Sequence, residues 1–392
     1  MTTTNLPIAH FVAPADGAGT PDFFAPERFT SAAGLEEAQH ACRTDFHYDR
    51  TEIDLDRLFL DEDLQLRLGN QRYLLTEAAF EHLCGVLHVP PRFLRTMPAD
   101  LASTIVQRLR RLHQHAVVLV HRDDVLVGIV DPDKWARSLA PSRRPHYLPV
   151  TYLQVLQMIE KVRKPELAVT VNIADSGIGV ELVGADIAIE PRPGDITRIG
   201  LIVIASETGG PAPTAHGYAL RLVCVNGAIA PQDFGVVRFS TDWRVSLERR
   251  MEAFVGGLRE FTVDMKRIEQ AYRNMVANPM TDRLLHRIHR QAAYVYRRSR
   301  APERLADRAL GIPDHQRREV VARVRERQRR LRLSAGSSVE AAQPTDIPAW
   351  QVFNAITEAA RNENEPYRQR VALQRLGGDL LLAYAPRQPN GG

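Results

Sequence analysis

The chain has 392 residues, enough for two or three domains, and its hydrophobic content of 44% with 25% charged residues is typical of a globular protein. No apolar run approaches the roughly 20 residues that span a bilayer, and the 3 cysteines lie too far apart for a disulfide framework or a zinc cluster. The first residues lack the basic and apolar regions of a signal peptide, so we expect a cytoplasmic protein without a membrane segment.

Charge is distributed unevenly along the chain, although the net charge is only +4. Residues 244–333 hold 23 of the 51 Lys and Arg residues but only 11 of the 47 Asp and Glu residues, a formal charge of +12. The remainder therefore has 28 basic and 36 acidic residues, or −8. This segregation predicts an anionic partner, with nucleic acid as the first expectation.

The order of patterns predicts an α+β fold with an antiparallel sheet core at about 167–240, preceded by a mixed α/β part and followed by long helices. Residues 1–50 are rich in Pro, Gly, Ala and Thr, so we expect a flexible N-terminal arm. A mixed α/β subdomain follows at 51–165. Within it, Gly69-Asn70 predicts a hairpin turn and Thr76 predicts the N-cap of a helix.

The antiparallel sheet is predicted to cover residues 166–242. Its most specific segment is Tyr218–Gly227, where alternation predicts a strand that ends in a tight turn at Asn226-Gly227. Arg221 lies on one face of this strand. Two interpretations stay open for it: a side chain that is solvated or paired with an acid, and a side chain that binds a phosphate.

Residues 243–333 are predicted to form an Arg-rich helical region. Apolar residues recur there in steps of 4 and 3 from Leu247 to Met275, which predicts a heptad seam along one long helix. The seam packs either against another subunit or inside one chain. Residues 334–346 are expected to be a linker, and residues 347–385 a C-terminal helical segment.

Arginines of the sheet and of the helical region are the candidate phosphate ligands. At 317–332 they are so dense that solvation alone does not explain them, whereas those of the seam helix also fit a solvated helix face. The predicted nucleic-acid-binding residues are Arg221, Arg249, Arg250, Arg317, Arg318, Arg323, Arg325, Arg327, Arg329 and Arg330.

Two short segments resemble motifs of a known family. They are Arg-Leu-Val-Cys-Val-Asn-Gly at 221–227 and Trp-Gln-Val-Phe-Asn-Ala-Ile-Thr at 350–357, with Asn226, Gly227, Trp350 and Asn354 as the motif residues. The chain is thereby similar, over roughly 60–365, to the phage/plasmid-like protein family, domain of unknown function 932. The resemblance implies association with a mobile element but no defined activity, and the Arg-rich stretch before Trp350 departs from it.

A sheet followed by a long helix also resembles ring-forming single-strand annealing proteins, which implies a possible place in DNA recombination. Besides nucleic-acid binding, a second and a third function remain open. Acidic groups at Asp61-Glu62-Asp63 and Asp131-Pro-Asp133 are compatible with Mg²⁺ in a metal-dependent nuclease, although Asp-Pro-Asp also forms ordinary turns. The third is an oligomeric assembly or interaction protein built on the heptad seam.

Common nucleotide-binding and hydrolase motifs are absent from the sequence, among them the Walker loop and the nucleophile elbow. We therefore predict a non-catalytic nucleic-acid-binding protein that forms a homo-oligomer. We expect it to bind DNA in preference to RNA and to need neither a cofactor nor a metal.

Overall fold

The computed structural model describes residues 24–61, 63, 65–112, 116–131, 150–192, 195–221, 226–229, 235–242, 244–261, 265–297, 299, 301–313, 315–316, 318–323, 326, 344–362 and 365–386. Helices and strands are both abundant, with the sheets before the main helical part, so the fold is α+β as predicted. The contacts divide the chain into two compact units. The N-terminal unit comprises Met1–Arg28 and Tyr48–Leu139, and the C-terminal unit comprises Phe29–His47 and Ala140–Gly392.

The strands are β1 (Phe29–Ala32), β2 (Asp49–Asp54), β3 (Phe59–Leu60), β4 (Leu66–Leu68), β5 (Gln71–Leu75), β6 (Ala116–Arg122), β7 (Val125–Val130), β8 (Leu167–Ala174), β9 (Gly177–Arg192), β10 (Asp195–Ala205), β11 (Thr214–Arg221), β12 (Asn226–Ile229), β13 (Val236–Arg238), β14 (Pro279–Thr281) and β15 (Pro344–Pro348). The helices are α1 (Leu35–Thr44), α2 (Glu77–Val86), α3 (Pro91–Arg95), α4 (Ala99–Arg110), α5 (Tyr152–Glu160), α6 (Leu247–Glu260), α7 (Met265–Ala277), α8 (Asp282–Val295), α9 (Pro302–Leu310), α10 (Ala349–Ala359) and α11 (Tyr367–Ala383). One 3-10 turn spans Leu55–Arg57.

The N-terminal unit is a mixed sheet with the strand order β2-β6-β7-β5-β4-β3, in which β5 and β7 pair in parallel. Its local signals act as predicted. Gly69 has φ +58° in the turn between β4 and β5, and the Thr76 hydroxyl accepts a hydrogen bond from the Ala79 amide at the start of α2. Phe80, Leu83 and Val106 of α2 and α4 are buried in the core of this unit.

The C-terminal unit is built on a seven-stranded antiparallel sheet ordered β1-β8-β9-β10-β11-β12, with β13 also paired to β11. The prediction of a flexible arm at 1–50 is wrong for its second half. There β1 pairs with β8, and α1 buries Leu35, Ala38 and Cys42 while packing against α5 and β8. Composition hid these elements because a short edge strand and a small-residue helix contain few large apolar side chains.

The predicted turn at Asn226-Gly227 is also wrong. Strand β11 ends at Arg221, which pairs with Asn226, and Leu220 pairs with Gly227, so the motif lies inside strand β12. The connection between the two strands, residues 222–225, lies outside the described residues. The dipeptide signal is local, whereas the register of β12 is determined by its pairing with β11.

The heptad seam does not form one helix. Helix α6 ends at Glu260, the next residue Phe261 has an extended backbone with ψ 121°, and α7 begins at Met265. The two halves of the seam are buried on different surfaces: α6 packs against α5 and β13, and α7 packs against β9, α10 and α11. Both partners belong to the same chain, so the subunit-interface interpretation of the seam is wrong.

Helices α7 to α11 enclose an apolar core centred on three aromatic rings. Trp350 and Phe353 of α10 stack at 5.5 Å between ring centroids, and Tyr272 of α7 meets both rings edge-on at 5.8 and 5.5 Å. The predicted linker at 334–346 is partly wrong, because Pro344–Pro348 forms β15 and pairs with β14 beside this core. No helix among the described residues has the length and apolar character that a bilayer crossing requires.

Two adjacent glycines of α6 test its packing against β13. A Cβ on Gly256 meets nothing within 4 Å, whereas a Cβ on Gly257 would lie 2.8 Å from a Val237 methyl group. Gly256→Ala should raise the free energy of unfolding by about 0.5–1 kcal/mol through a less flexible unfolded chain. Gly257→Ala should lower it by about 1 kcal/mol through overpacking.

Urea unfolding of both single variants measures the two effects against the wild type. Both glycines lie in α6 and both are replaced by alanine, so the gain in helix propensity should be similar in the two variants. The difference between them then measures the contact of the added Cβ with Val237. Equal stabilisation by both substitutions would contradict the packing of α6 on β13.

Candidate nucleic-acid interface

The two predicted arginines of α6 have different environments, although they are adjacent in sequence. Arg249 is exposed, but Arg250 is only 8% exposed, and its guanidinium lies 5.6 Å from the centre of the Phe239 ring. Phe239 in turn contacts Phe254 at 5.9 Å. Arg250 therefore packs α6 against Phe239 and exposes little of its side chain to a ligand, and its role as a phosphate ligand stays a prediction.

The remaining predicted arginines are described only in part. The backbone of Arg221 lies in β11 between Thr197 and Asn226, while its side chain lies outside the described residues. Arg318 and Arg323 are exposed on helical residues 318–323. The other predicted ligands lie outside the described residues, namely Arg317, Arg325, Arg327, Arg329 and Arg330.

The helical residues 318–323 pack against α8. Val320 and Val321 share a small cavity with Leu285, His286 and His289 of that helix, and Val320 belongs to the helical core. The apolar side chains of this segment are thus used for intrachain packing. Because Arg318 and Arg323 are exposed on this segment, they add positive charge beside α8.

The four residues on which the predicted resemblance to the phage/plasmid-like family depends lie in packed or paired positions. Trp350 is 4% exposed within the aromatic core, and Asn354 is half-buried one turn further along α10. Asn226 and Gly227 belong to the ladder between β11 and β12. The described geometry of these four residues is that of packing and pairing, and it defines no ligand pocket.

Helix α8 carries the most continuous basic surface among the described residues. Arg283, Arg287, Arg290, Tyr294 and Arg297 are all exposed. The first four follow one another in steps of 4, 3 and 4, so they line one face of a helix that spans about 20 Å at 1.5 Å per residue, and Arg297 lies in the turn directly after it. We call these five residues the α8 stripe.

The α8 stripe was visible in the sequence but was missed. Its arginine spacing is as regular as that of the apolar seam. The arginines at 317–332 are denser in the sequence but lack this regular spacing. A basic periodicity of 4 and 3 is the signal that would have found the stripe.

The opposite face of α8 fixes the direction of the stripe. Leu285, Ile288 and Ala292 are buried in the helical core. His289 is also buried, and its Nε2 shares a 2.9 Å hydrogen bond with the Oδ1 of Asp307 in α9. At the start of the helix, the Thr281 hydroxyl accepts a hydrogen bond from the Leu284 amide. Because this face is held in the core, the arginines must face the solvent.

The α8 stripe has almost no counter-charge of its own. The one acidic residue of α8, Asp282, is buried. In the described part of the chain, no carboxylate forms an ion pair with Arg283, Arg287 or Arg290. Asp379 of α11 lies near Arg287; burial raises the pKa of this carboxyl, while Arg287 lowers it.

Tyr294 places an aromatic ring within the α8 stripe. Its side chain is 65% exposed, and the Arg297 guanidinium lies 4.1 Å from the ring centre. Arg297 also donates a hydrogen bond of 3.0 Å to the Tyr294 carbonyl oxygen, which holds the guanidinium against the ring. An exposed ring held by a cation is a suitable surface for a second flat, electron-rich group.

A groove of about 790 Å³ adjoins the N-terminal end of the α8 stripe. Arg283 and Arg287 contribute to its wall, together with apolar groups and the Tyr384 ring. The Tyr384 hydroxyl donates to the Pro279 carbonyl oxygen at 2.9 Å, which ties α11 to β14. The lining residues are Asn278, Pro279, Thr281, Arg283, Leu284, Arg287, Pro344, Ala383 and Tyr384.

The acidic group at Asp61, a candidate metal ligand of a nuclease, is engaged in local hydrogen bonds. Asp61 is buried and accepts hydrogen bonds from the Asp63 and Gln65 amides and from Arg67 Nε, at 3.1, 2.9 and 2.8 Å. Its oxygens therefore stabilise the turn before β4. Glu62 and Asp133 lie outside the described residues. No group of three or more His, Cys, Asp or Glu side chains suited to a metal converges within the described residues.

A second polar cluster lies on one face of the C-terminal sheet. Ile202 pairs with Glu181 on one side and with His216 on the other, so these three residues share a face. Burial raises the pKa of Glu181 to about 7, although a hydrogen bond from Tyr218 opposes the shift. Burial lowers the pKa of His216 to about 4, and the positive charges of Arg375 and Arg238 act in the same direction.

Glu181 is held by its neighbours rather than directed into an empty pocket. The Asn172 amide donates to its Oε1 at 3.4 Å, and Tyr218 donates from the adjacent part of the sheet. Tyr367 of α11 packs over Gly177 and Gly179 on the same face, where a Cβ added to Gly179 would collide with the Tyr367 hydroxyl oxygen. We interpret the cluster as the junction between the sheet and α11.

Comparisons of this chain with family models, curated proteins and solved structures found no match. The resemblance to the phage/plasmid-like family therefore stays a prediction. The α8 stripe is evaluated from its own geometry and charge.

The two perturbed groups of the sheet cluster predict opposite dependences of stability on pH. Glu181 binds its proton more tightly in the folded state, with a pKa of about 7 against 4.5, so its contribution falls as pH rises between these values. His216 binds its proton less tightly when folded, with a pKa of about 4 against 6.5, so its contribution is lost as pH falls through this range. Between about pH 4.5 and 6.5 the two effects oppose each other.

Urea unfolding across this pH range separates the two contributions. Relative to the wild type, Glu181→Gln should make stability rise more steeply with pH, and His216→Gln should make it rise less steeply or fall. The two variants serve as controls for each other because their expected slopes have opposite signs. Unchanged pH profiles in both would show that the groups titrate normally.

Proposed function

We propose that this chain is a non-catalytic DNA-binding protein that holds the phosphate backbone on the α8 stripe. The observation that carries the proposal is one helix with three exposed arginines on one face and a buried apolar face opposite, followed directly by the exposed Arg297. Arginines of this kind bind phosphates through their charge and their planar N–H groups.

A solvated helix face is the competing explanation, and its usual features are lacking here. Soluble surfaces intersperse basic with acidic residues, because like charges in steps of 3 and 4 repel one another. The α8 stripe has four cations and no anion, and it is interrupted by an exposed tyrosine. Such an arrangement is stabilised when a polyanion neutralises the arginines.

The wider charge distribution favours the same partner. Exposed Arg318 and Arg323 extend the basic surface beside α8, whereas the chain outside 244–333 is acidic overall. An acidic body repels DNA elsewhere and directs it to the helical region. Four parts of this proposal rest on the sequence patterns alone. They are the preference for DNA over RNA, the membership of a mobile element, the role in recombination and homo-oligomerisation.

Binding of a fluorescently labelled DNA oligonucleotide, measured by anisotropy at about 50 and about 200 mM salt, tests the proposal. Affinity should fall steeply with salt because bound arginines release counterions. In Arg287→Gln/Arg290→Gln, the slope of log affinity against log salt should be lower by roughly two, since each lost phosphate contact removes about one.

A matched control removes the same charge elsewhere. Arg72 and Arg108 are exposed in the N-terminal unit, so Arg72→Gln/Arg108→Gln changes the net charge equally without touching α8. This control should keep the wild-type slope. A similar loss in both double variants would mean that net charge alone attracts DNA, and salt-independent or absent binding by the wild type would refute the function.

A further inference from the structure

The α8 stripe contains more than phosphate ligands, and its additional features favour unpaired bases. A duplex encloses its bases and offers mainly phosphates to a helix surface, whereas a single strand also offers base faces. From the ring of Tyr294 and the neighbouring groove, we infer that the preferred ligand is single-stranded DNA. This inference rests on the proposed function and specifies its substrate class.

Tyr294 is the first element of the argument. Every base has a face that stacks on an aromatic ring. A base that stacks on the exposed Tyr294 ring removes the apolar surface of both from water. Arg297 lies 4.1 Å from the ring centre and restricts its motion. The ring is thus preorganised, which reduces the entropy lost when a base stacks on it.

The groove is the second element. It lies at the opposite end of α8, about 16 Å from Tyr294 by the helical rise from Arg283. Its walls combine Pro279, Pro344 and Ala383 with the cationic edge formed by Arg283 and Arg287. Apolar walls beside a cationic edge suit a base whose own phosphate remains at the edge.

The path between the two elements is continuous. Arg287 lines the groove, and Arg290 lies between it and Tyr294 on the same helix face. A strand that enters the groove, follows these two arginines and stacks on Tyr294 uses every residue of the α8 stripe. A rigid duplex meets the arginines but leaves the ring and the groove unused.

Three labelled probes of about 12 nucleotides test the inference with the full chain: a single strand, an abasic strand with the same phosphates, and a duplex. The wild type should bind the single strand about tenfold more tightly than the abasic strand. Tyr294→Ala should bind the single strand as weakly as the abasic one, and Tyr294→Phe should retain the difference. Neither substitution should alter duplex binding.

A groove variant gives an independent measurement. Ala383 is exposed at the groove wall, and Ala383→Leu narrows the groove without changing charge. It should lower affinity for the single strand and leave duplex affinity unchanged.

The outcomes separate the two proposals. Equal binding of all three probes, with no effect of Tyr294→Ala, would overturn the single-strand inference while leaving DNA binding intact. The single-strand inference would also be overturned, with DNA binding intact, if the wild type preferred the duplex while Arg287→Gln/Arg290→Gln still lowered the salt dependence of its affinity. Absence of binding to every probe would overturn both the inference and the function.

Discussion

The burial of one face of α8 is the constraint on which the candidate interface depends. Leu285, Ile288 and Ala292 are fixed in the helical core, and the His289–Asp307 hydrogen bond prevents rotation about the helix axis. Since the helix repeats every 3.6 residues, fixing one face fixes the opposite one. The arginines are therefore held in register by apolar packing, which needs no contribution from a ligand.

The core that holds α8 is assembled from segments far apart in the chain. Tyr272, Trp350 and Phe353 meet at its centre, and β15 returns the chain to pair with β14 directly before α8. The Trp350 segment thereby supports the candidate interface through packing. Its aromatic rings stabilise the helices that carry the charges.

Electrostatics in this protein depends on position more than on number. Arg249 and Arg250 are adjacent, yet one is exposed and the other lies buried against Phe239. The +12 segment contains arginines that attach helices, arginines that form ion pairs, and the exposed arginines of the α8 stripe, of which Arg283, Arg287 and Arg290 form no ion pair with a carboxylate among the described residues. The Arg273–Glu269 pair at 2.8 Å is an example of the second kind. Only the third kind adds to an anion-binding surface, so a count of basic residues overstates that surface.

The sequence by itself determined the features that depend on near neighbours. Four such features were predicted because each follows from local backbone preferences or composition. They are the turn at Gly69, the cap at Thr76, the α+β class and the basic character of the helical region. Tertiary structure alone decided the rest: the pairing of β1 with β8, the strand position of Asn226-Gly227, and the division of the apolar seam. It also decided which arginines are exposed. The physical reason is that burial and strand register are set by partners distant in sequence, and local patterns carry no information about those partners.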